Sequence, residues 1–132
     1  MASFKSDKIT INRSDEEIYS FLSDFNNFEK LMPEQVTNWK STNDSCSFTI
    51  QGMADLAMKM GERIEFSKVT YVSDGNKPFA FDLNTELNVD GDKTETQIIL
   101  RADLNPMLKM MASRPLQNFV NLLVNKLKEV IE

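Results

Sequence analysis

Between Gln35 and Asp103 apolar and polar residues alternate with a period of two, and no other feature of this chain constrains its fold as strongly. The alternating pieces are Val36 to Thr42, Ser45 to Gln51, Asp55 to Phe66, Lys68 to Ser73, Phe79 to Val89 and Thr94 to Asp103. Asn43-Asp44, Gly52, Asp74-Gly75-Asn76 and Asp90-Gly91-Asp92 separate them, and the loop at Asp74 continues through Lys77 and Pro78. Asp-Gly pairs supply the positive φ angles of tight turns, so these segments read as hairpins of an antiparallel meander. A further segment, Phe4 to Asn12, ends in the alternation Ile9-Thr10-Ile11-Asn12, which raises the expectation to about seven strands in a strongly curved sheet.

Helical signals flank the alternation. Ser14-Asp15-Glu16-Glu17 fits a capping box, and Ile18, Phe21, Leu22 and Phe25 then recur at threes and fours. Asn26-Asn27 is expected to interrupt this helix, and Phe28 to Met32 to form another turn or two before Pro33. At the other end, Asn105-Pro106 sets a cap and a first-turn proline. Leu108, Met111, Ala112, Leu116, Phe119, Val120, Leu123, Leu127 and Val130 then fall on one side of a long helix. Pro115 removes one backbone hydrogen bond from it, and a kink or short break is expected near Ala112 to Pro115. The reading is α+β: two short helices after the first strand, a curved antiparallel sheet, and a long carboxy-terminal helix laid on it.

Composition removes whole classes of chemistry. The 132 residues hold 15 Lys plus Arg against 20 Asp plus Glu, a net charge of −5 with no basic cluster, so no nucleic-acid partner is expected. With no His, imidazole-based triads and the usual His-containing metal sites are excluded. A single Cys, Cys46, excludes thiolate metal sites and internal disulfides; it reads as a small buried hydrophobe or as a reactive thiol. Neither a metal nor a cofactor is expected. No apolar run is long enough for a membrane span and the amino-terminal residues do not resemble a signal peptide. The expected setting is cytoplasmic, without stable membrane insertion, as a monomer or homodimer.

The order of elements, with the entry Ser14-Asp15-Glu16-Glu17-Ile18-Tyr19-Ser20-Phe21-Leu22-Ser23-Asp24, the following Phe28-Glu29-Lys30-Leu31-Met32-Pro33-Glu34, and the exit Ala102-Asp103-Leu104-Asn105-Pro106-Met107, resembles the SRPBCC helix-grip superfamily. That superfamily groups polyketide cyclase/dehydrase-like, birch-pollen-allergen-like and lipid-transfer proteins. The resemblance covers residues 1–132 as one helix-grip domain. It implies a hydrophobic cavity between the sheet and the last helix that binds or shields a lipid, polyketide, quinone, sterol or other apolar molecule. Where related enzymes use His or a carboxylate in the cavity, this chain would have to rely on a carboxylate, Tyr or water.

Strand parity names the residues that would line such a space. Cys46, Phe48 and Ile50 share a face, as do Leu56, Met58 and Met60; Phe79, Phe81, Leu83, Leu87 and Val89; and Ile98, Leu100 and Ala102. A filled core explains the same alternation. Eight Met is a high count, and Met53, Met58, Met60, Met107, Met110 and Met111 would give one adaptable surface if the fourth strand meets the head of the last helix; they equally suit gap-filling near Pro115. Met107 and Met110 lie off the main apolar face, where they line an entrance, touch a partner, or mark a phase reset at the kink. Glu62 shares parity with Met58, Met60, Ile64 and Phe66, which would aim a carboxylate inward, unless a bulge at Gly61 turns it out. Tyr71 and Arg101 are its possible partners, although Arg101 has the parity of Glu95 and Gln97 and is expected to pair across strands in solvent. Trp39 is a lid, an interface residue, or a packing element against the first helices.

Three functions follow. The first is binding of a small apolar molecule by Phe48, Met58, Met60, Glu62, Tyr71, Phe81, Met107, Leu108, Met111 and Phe119. The second is a cyclase or dehydratase using Glu62 or Tyr71. The third is a protein-interaction module like the quinone-chaperone and ribosome-associated members of the superfamily, favoured by an exposed Met107/Met110 patch.

Overall fold

The computed structural model describes residues 2–75 and 79–132. The expected continuation of the Asp74 loop through Asn76, Lys77 and Pro78 lies outside them. Among the described residues eight strands occur, where about seven were expected: β1 (Ala2–Lys5), β2 (Ile9–Ile11), β3 (Val36–Ser41), β4 (Ser45–Ile50), β5 (Ala54–Ile64), β6 (Lys68–Ser73), β7 (Phe81–Asp90) and β8 (Lys93–Ala102). They form one antiparallel sheet in the order β1-β8-β7-β6-β5-β4-β3, with β2 beside β1 on the same edge of β8. Consecutive strands from β3 to β8 pair as hairpins, as the alternation demands.

The extra strand arises because the first segment is split. Three residues, Ser6 to Lys8, stand opposite two, Gln97 and Ile98. The inserted residue brings Phe4 and Ile11 onto one buried face although their numbers differ in parity. Ser6, 3% exposed, mends the ladder: its Oγ accepts from the Ile98 amide at 2.9 Å, and its own amide donates to the Ile98 carbonyl at 2.8 Å.

Helix α1 (Asp15–Leu22) starts where the capping box places it, with Ser14 Oγ accepting from the Glu17 amide at 3.2 Å. The interruption comes earlier than expected. Asp24 Oδ1 accepts from the Asn26 amide at 2.9 Å and caps α2 (Phe25–Phe28), so Asn26 and Asn27 lie inside the second helix rather than between two. A single 3-10 turn, Glu29–Leu31, follows. Ile18, Leu22, Phe25, Phe28 and Leu31 are all wholly buried.

Helix α3 (Pro106–Ile131) is capped by Asn105, whose Oδ1 accepts from the Leu108 amide at 2.8 Å. It runs without a break through Pro115, so of the kink or short break expected there the break does not occur. The helix lies against β8, β1, β2 and the 3-10 turn, while α1 contacts β6 and β7. Leu116, Phe119, Val120, Leu123, Val124 and Leu127 face the core. The first two turns contribute little: Ala112 is buried, Leu108 half-buried, and Met111, expected on the apolar face, is 63% exposed. Near the helix head the core-facing stripe narrows to Leu108 and Ala112, leaving Met111 on its flank.

Candidate functional site

The sheet turns Cys46, Phe48, Ile50, Leu56, Met58, Phe79, Phe81, Leu83, Leu87, Ile98, Leu100 and Ala102 inward, as parity predicts. Val89 breaks the pattern at 60% exposed, because β7 carries it out to the Asp90-Gly91 turn. Between the sheet and the helices a continuous run of aromatic rings crosses the interior. Phe119 of α3 stacks on Phe48 at 6.1 Å, Phe48 on Trp39 at 5.5 Å, and Trp39 packs on Phe28 at 6.0 Å. Phe28 meets Tyr71 edge-on at 5.1 Å, and Tyr71 meets Phe25 at 4.5 Å.

Trp39 enters this run through a bulge. Val36 pairs with Ile50 and Ser41 with Cys46, so Asn38 and Trp39 together face Phe48, and Asn38 adopts φ 57°. The inserted residue moves Trp39 onto the inner face, where it packs on the second helix. Its Nε1 donates to Ser41 Oγ at 3.0 Å, and Ser41 Oγ donates to Asn26 Oδ1 at 2.7 Å, which ties β3 to α2. Of the roles expected for Trp39, packing against the first helices is the one its contact with Phe28 bears out; parity alone did not place it inward, and an Asn, tolerant of the left-handed region, in front of an aromatic was the available signal of the bulge.

A second bulge decides Glu62. Met60 pairs with Tyr71 and Arg63 with Val69, so Gly61 and Glu62 share one opposing position, Thr70. A Cβ on Gly61 would lie 2.9 Å from Val72 Cγ1 and 3.0 Å from the Thr70 carbonyl oxygen, a closeness only glycine accepts. The bulge turns Glu62 outward and exposed, and turns Ile64 outward with it at 49% exposed. Of the two expectations for Glu62, the bulge at Gly61 holds and the inward carboxylate is corrected to a solvated one, and no buried acid stands beside Met60 among the described residues.

The remaining candidates divide into two groups. Phe48, Met58, Tyr71, Phe81 and Phe119 are buried and Met60 and Leu108 half-buried against the core, whereas Met107 and Met110 stand at 72% and 85% exposed beside Met111. The methionines of α3 thus form a surface patch and not a wall of the interior. Tyr71 is wholly buried, its Oη donating to the Leu22 carbonyl at 2.5 Å, and burial, then the nearby Cys46 thiol, push its pKa well above the ordinary phenol value, against the pull of Arg63. Burial likewise pushes the Cys46 thiol up to about 12, against a hydrogen bond with the Met58 backbone, so it stays a protonated hydrophobe at neutral pH. Arg101 pairs with its direct cross-strand partner Asp82, both at 3.0 Å, on the outer face of the sheet.

Four clefts bounded by described residues open to solvent, and none of the four lies between α3 and the inner face of the sheet. The largest of them, about 590 Å³, sits between α1 and the end of α3, with Phe21 and Ile131 among its walls and Glu16 and Glu17 at its rim.

Solved structures share this whole arrangement. A Thermus thermophilus protein superposes with a TM-score of 0.73 at 12% identity, covering 98% of this chain and 97% of its own. A START superfamily protein from Mycobacterium smegmatis gives 0.66 at 15% identity, covering 98% and 96%. The Aha1 dimer of Colwellia psychrerythraea gives 0.64 at 17% identity, covering 100% and 97%. This chain has the helix-grip fold. At these identities the helix-grip likeness fixes architecture and leaves chemistry to the residues. No family model matches the chain, and no curated protein matches it. No helix among the described residues is long and apolar enough to cross a membrane.

Proposed function

We propose that this protein binds a small apolar or amphipathic molecule between the sheet and α3, admitted at the head of the helix. The observation that carries the reading is the exposed cluster Met107, Met110 and Met111 on the two turns of α3 that are least anchored to the core. Methionine is unbranched and polarizable, suited to contacts of irregular shape. Directly beneath lie the half-buried Leu108 and the buried Ala112. Pro115 gives those turns freedom to move: it has no N–H for the Met111 carbonyl, so the head of α3 is joined to its body by one hydrogen bond fewer. Phe48, Met58, Met60, Phe81 and Phe119 would form the receiving wall, with Tyr71 at its far end. A ligand would have to displace side chains of the aromatic run, which limits it to a small or flexible molecule.

The enzymatic reading lacks its groups. Glu62 is in solvent and the Tyr71 hydroxyl is committed to the Leu22 carbonyl. The protein-interaction reading is favoured by the same exposed methionines and uses them as the contact itself.

Native mass spectrometry of protein purified under non-denaturing conditions, with a panel of fatty acids, quinones and environment-sensitive dyes, tests the proposal. A bound species lost on denaturation, and excluded by Met60→Trp, is the expected result. Absence of any adduct and of dye binding, in a folded protein, would overturn it in favour of the interaction module.

A further inference from the structure

The outer face of the sheet holds a buried polar group that the fold does not require. Three rows cross that face from β6 through β7 to β8: Lys68, Glu86 and Gln97; Thr70, Asn84 and Ile99; Val72, Asp82 and Arg101. β1 extends the middle row with Lys5, opposite Ile99. Asn84 stands at the middle of this grid, in a central strand where Asn is disfavoured, and is only 3% exposed although its face is turned to solvent. Its Oδ1 accepts from Thr70 Oγ1 and its Nδ2 donates to Asp82 Oδ1, which leaves the second N–H of that amide without a partner among the described residues. A buried donor left unpaired costs stability, so this N–H calls for an acceptor.

Asn84 lines a cleft of about 290 Å³ that has Lys5, Lys68, Arg101, Glu86 and Ile99 in its walls. Three cations against one carboxylate give it a positive excess on a chain of net charge −5. Of the other three clefts, one has two carboxylates and no cation, and two have one of each. Asp82 engages Nε and Nη2 of Arg101, whereas Lys5 and Lys68 enter no ion pair among the described residues, although Glu86 stands directly opposite Lys68. In the pairing register Lys68 and Arg101 are diagonal neighbours of Asn84, at a backbone separation of about 7–8 Å. Lys5 lies two strands away, roughly 10 Å.

We propose that this outer-face cleft binds a small soluble phosphate monoester, its phosphate held by the Lys5 and Lys68 ammonium groups and the free N–H of Asn84, and its organic part resting on Ile99. A planar carboxylate is best met by an arginine fork, and Asp82 already fills the fork of Arg101. Separate donors from three strands suit instead a tetrahedral group with three acceptor oxygens. The volume lies at the lower end for small-molecule sites, which limits the ester to a compact one. Glu86 opposes the anion and keeps the hold weak. The cleft is on the side of the sheet turned away from α3, so it stands apart from the interior binding proposed above.

NMR titration of the isotope-labelled full chain with glycerol 3-phosphate at constant ionic strength is the test, with chloride and acetate as comparison anions. The expected result is a saturable shift of the Asn84 side-chain amide signal with the phosphate ester alone, while the signals of α3 stay in place. Affinity should fall about tenfold in Lys68→Gln and in Lys5→Gln. It should rise by about fivefold in Glu86→Gln. These three side chains point outward, and the spectrum of each variant reports its fold. No saturable shift at Asn84, an equal response to chloride or acetate, or affinity unchanged in both lysine variants overturns the proposal. So does retention on phosphatidic acid vesicles without any response to glycerol 3-phosphate, because the phosphate recognised would then belong to a lipid surface. Dye binding in the Lys68→Gln variant reports on the interior, so either claim can fail alone.

Discussion

Tyr71 donates its phenolic hydrogen to the backbone carbonyl of Leu22 at 2.5 Å, and both residues are wholly buried. Leu22 ends α1, where the last carbonyls of a helix have no partner within it. A strand side chain therefore closes a helix end, and it fixes the angle at which α1 leaves the sheet. Tyr71→Phe keeps the ring contacts with Phe25 and Phe28 but orphans that carbonyl, and should cost about 1–3 kcal/mol in urea denaturation. A loss within error would mean that the carbonyl finds another donor and that the aromatic packing alone sets the geometry.

The same burial makes the protein sensitive to alkali. The Cys46 and Tyr71 groups ionise with ordinary values of 9.0 and 10.0 when exposed, and both are raised in the fold, Cys46 to about 12. An unfolded chain releases these protons first, so their contribution to stability is intact below pH 9 and is lost as pH rises through the window from 9 upward. Cys46→Val, which removes the thiol and keeps a small apolar side chain, should move the onset of alkaline unfolding up toward the tyrosine window. An unchanged onset in circular-dichroism titrations would assign the alkaline limit to other groups.

The legible part of this fold was the part with a strict period. Six of the eight strands, the capping residues Ser14 and Asn105, and most of the core face of α3 follow from alternation and spacing. What was hidden is one-residue insertion. At Ser6 to Lys8 and at Asn38 an extra residue reverses parity and accounts for the split first strand and the inward Trp39, whereas the third insertion, at Gly61-Glu62, was legible, since Gly61 marked it as the alternative that turns Glu62 outward. A bulge is specified by its partner strand as much as by its own residues, so one strand read alone shows only a permissive Gly or Asn. Met107 and Met110 were visible as an anomaly of phase, whereas Met111 has the phase of the apolar face and is exposed nonetheless. Their exposure depends on how far α3 overhangs the sheet, which no local pattern encodes.

Asn38 gives the bulge argument a direct check. Its φ of 57° is tolerated by Asn and Gly and opposed by a β-branched side chain. Asn38→Gly should leave stability nearly unchanged, the long 3.3 Å bond from its Nδ2 to Thr49 Oγ1 being exposed, whereas Asn38→Val should cost about 1–2 kcal/mol. The Val variant should also reduce the quenching or shift of Trp39 fluorescence that its stacking on Phe48 produces. Equal stability of the two variants would remove the bulge as the element that orients Trp39.

On the outer face, Asp82 serves two partners of unequal consequence. It accepts from the half-exposed Arg101 at 3.0 Å and also from Nδ2 of Asn84, a residue only 3% exposed whose Oδ1 accepts from Thr70 at 2.8 Å. Losing Arg101 removes a solvent-screened pair, so Arg101→Ala should change stability by less than about 1 kcal/mol. Asp82→Ala leaves a buried amide donor without its acceptor and should cost more, about 1–3 kcal/mol. Thermal unfolding of the two single variants and the double variant separates the terms; similar losses for both singles would show that the ion pair itself, and not the buried amide, is what Asp82 stabilises.

Pro115 sits where α3 changes from an anchored helix to a lightly held one. On the carboxy-terminal side Leu116, Phe119, Val120 and Leu123 are buried, whereas on the amino-terminal side only Ala112 is, with Leu108 half-buried. The missing N–H leaves the Met111 carbonyl without its intrahelical donor at that boundary, which suits a hinge. Pro115→Ala restores the hydrogen bond, and a proline within a helix is about 3 kcal/mol less favourable than alanine, so the variant should be more stable by about 1–3 kcal/mol after the change in unfolded-chain entropy. If the head of α3 is the entrance, hydrogen exchange over residues 106–114 should slow in the same variant, and apolar dyes should bind more slowly with little change in final affinity. A stabilised variant with unaltered dye kinetics would keep Pro115 as a local weakness of the helix and place the entrance elsewhere.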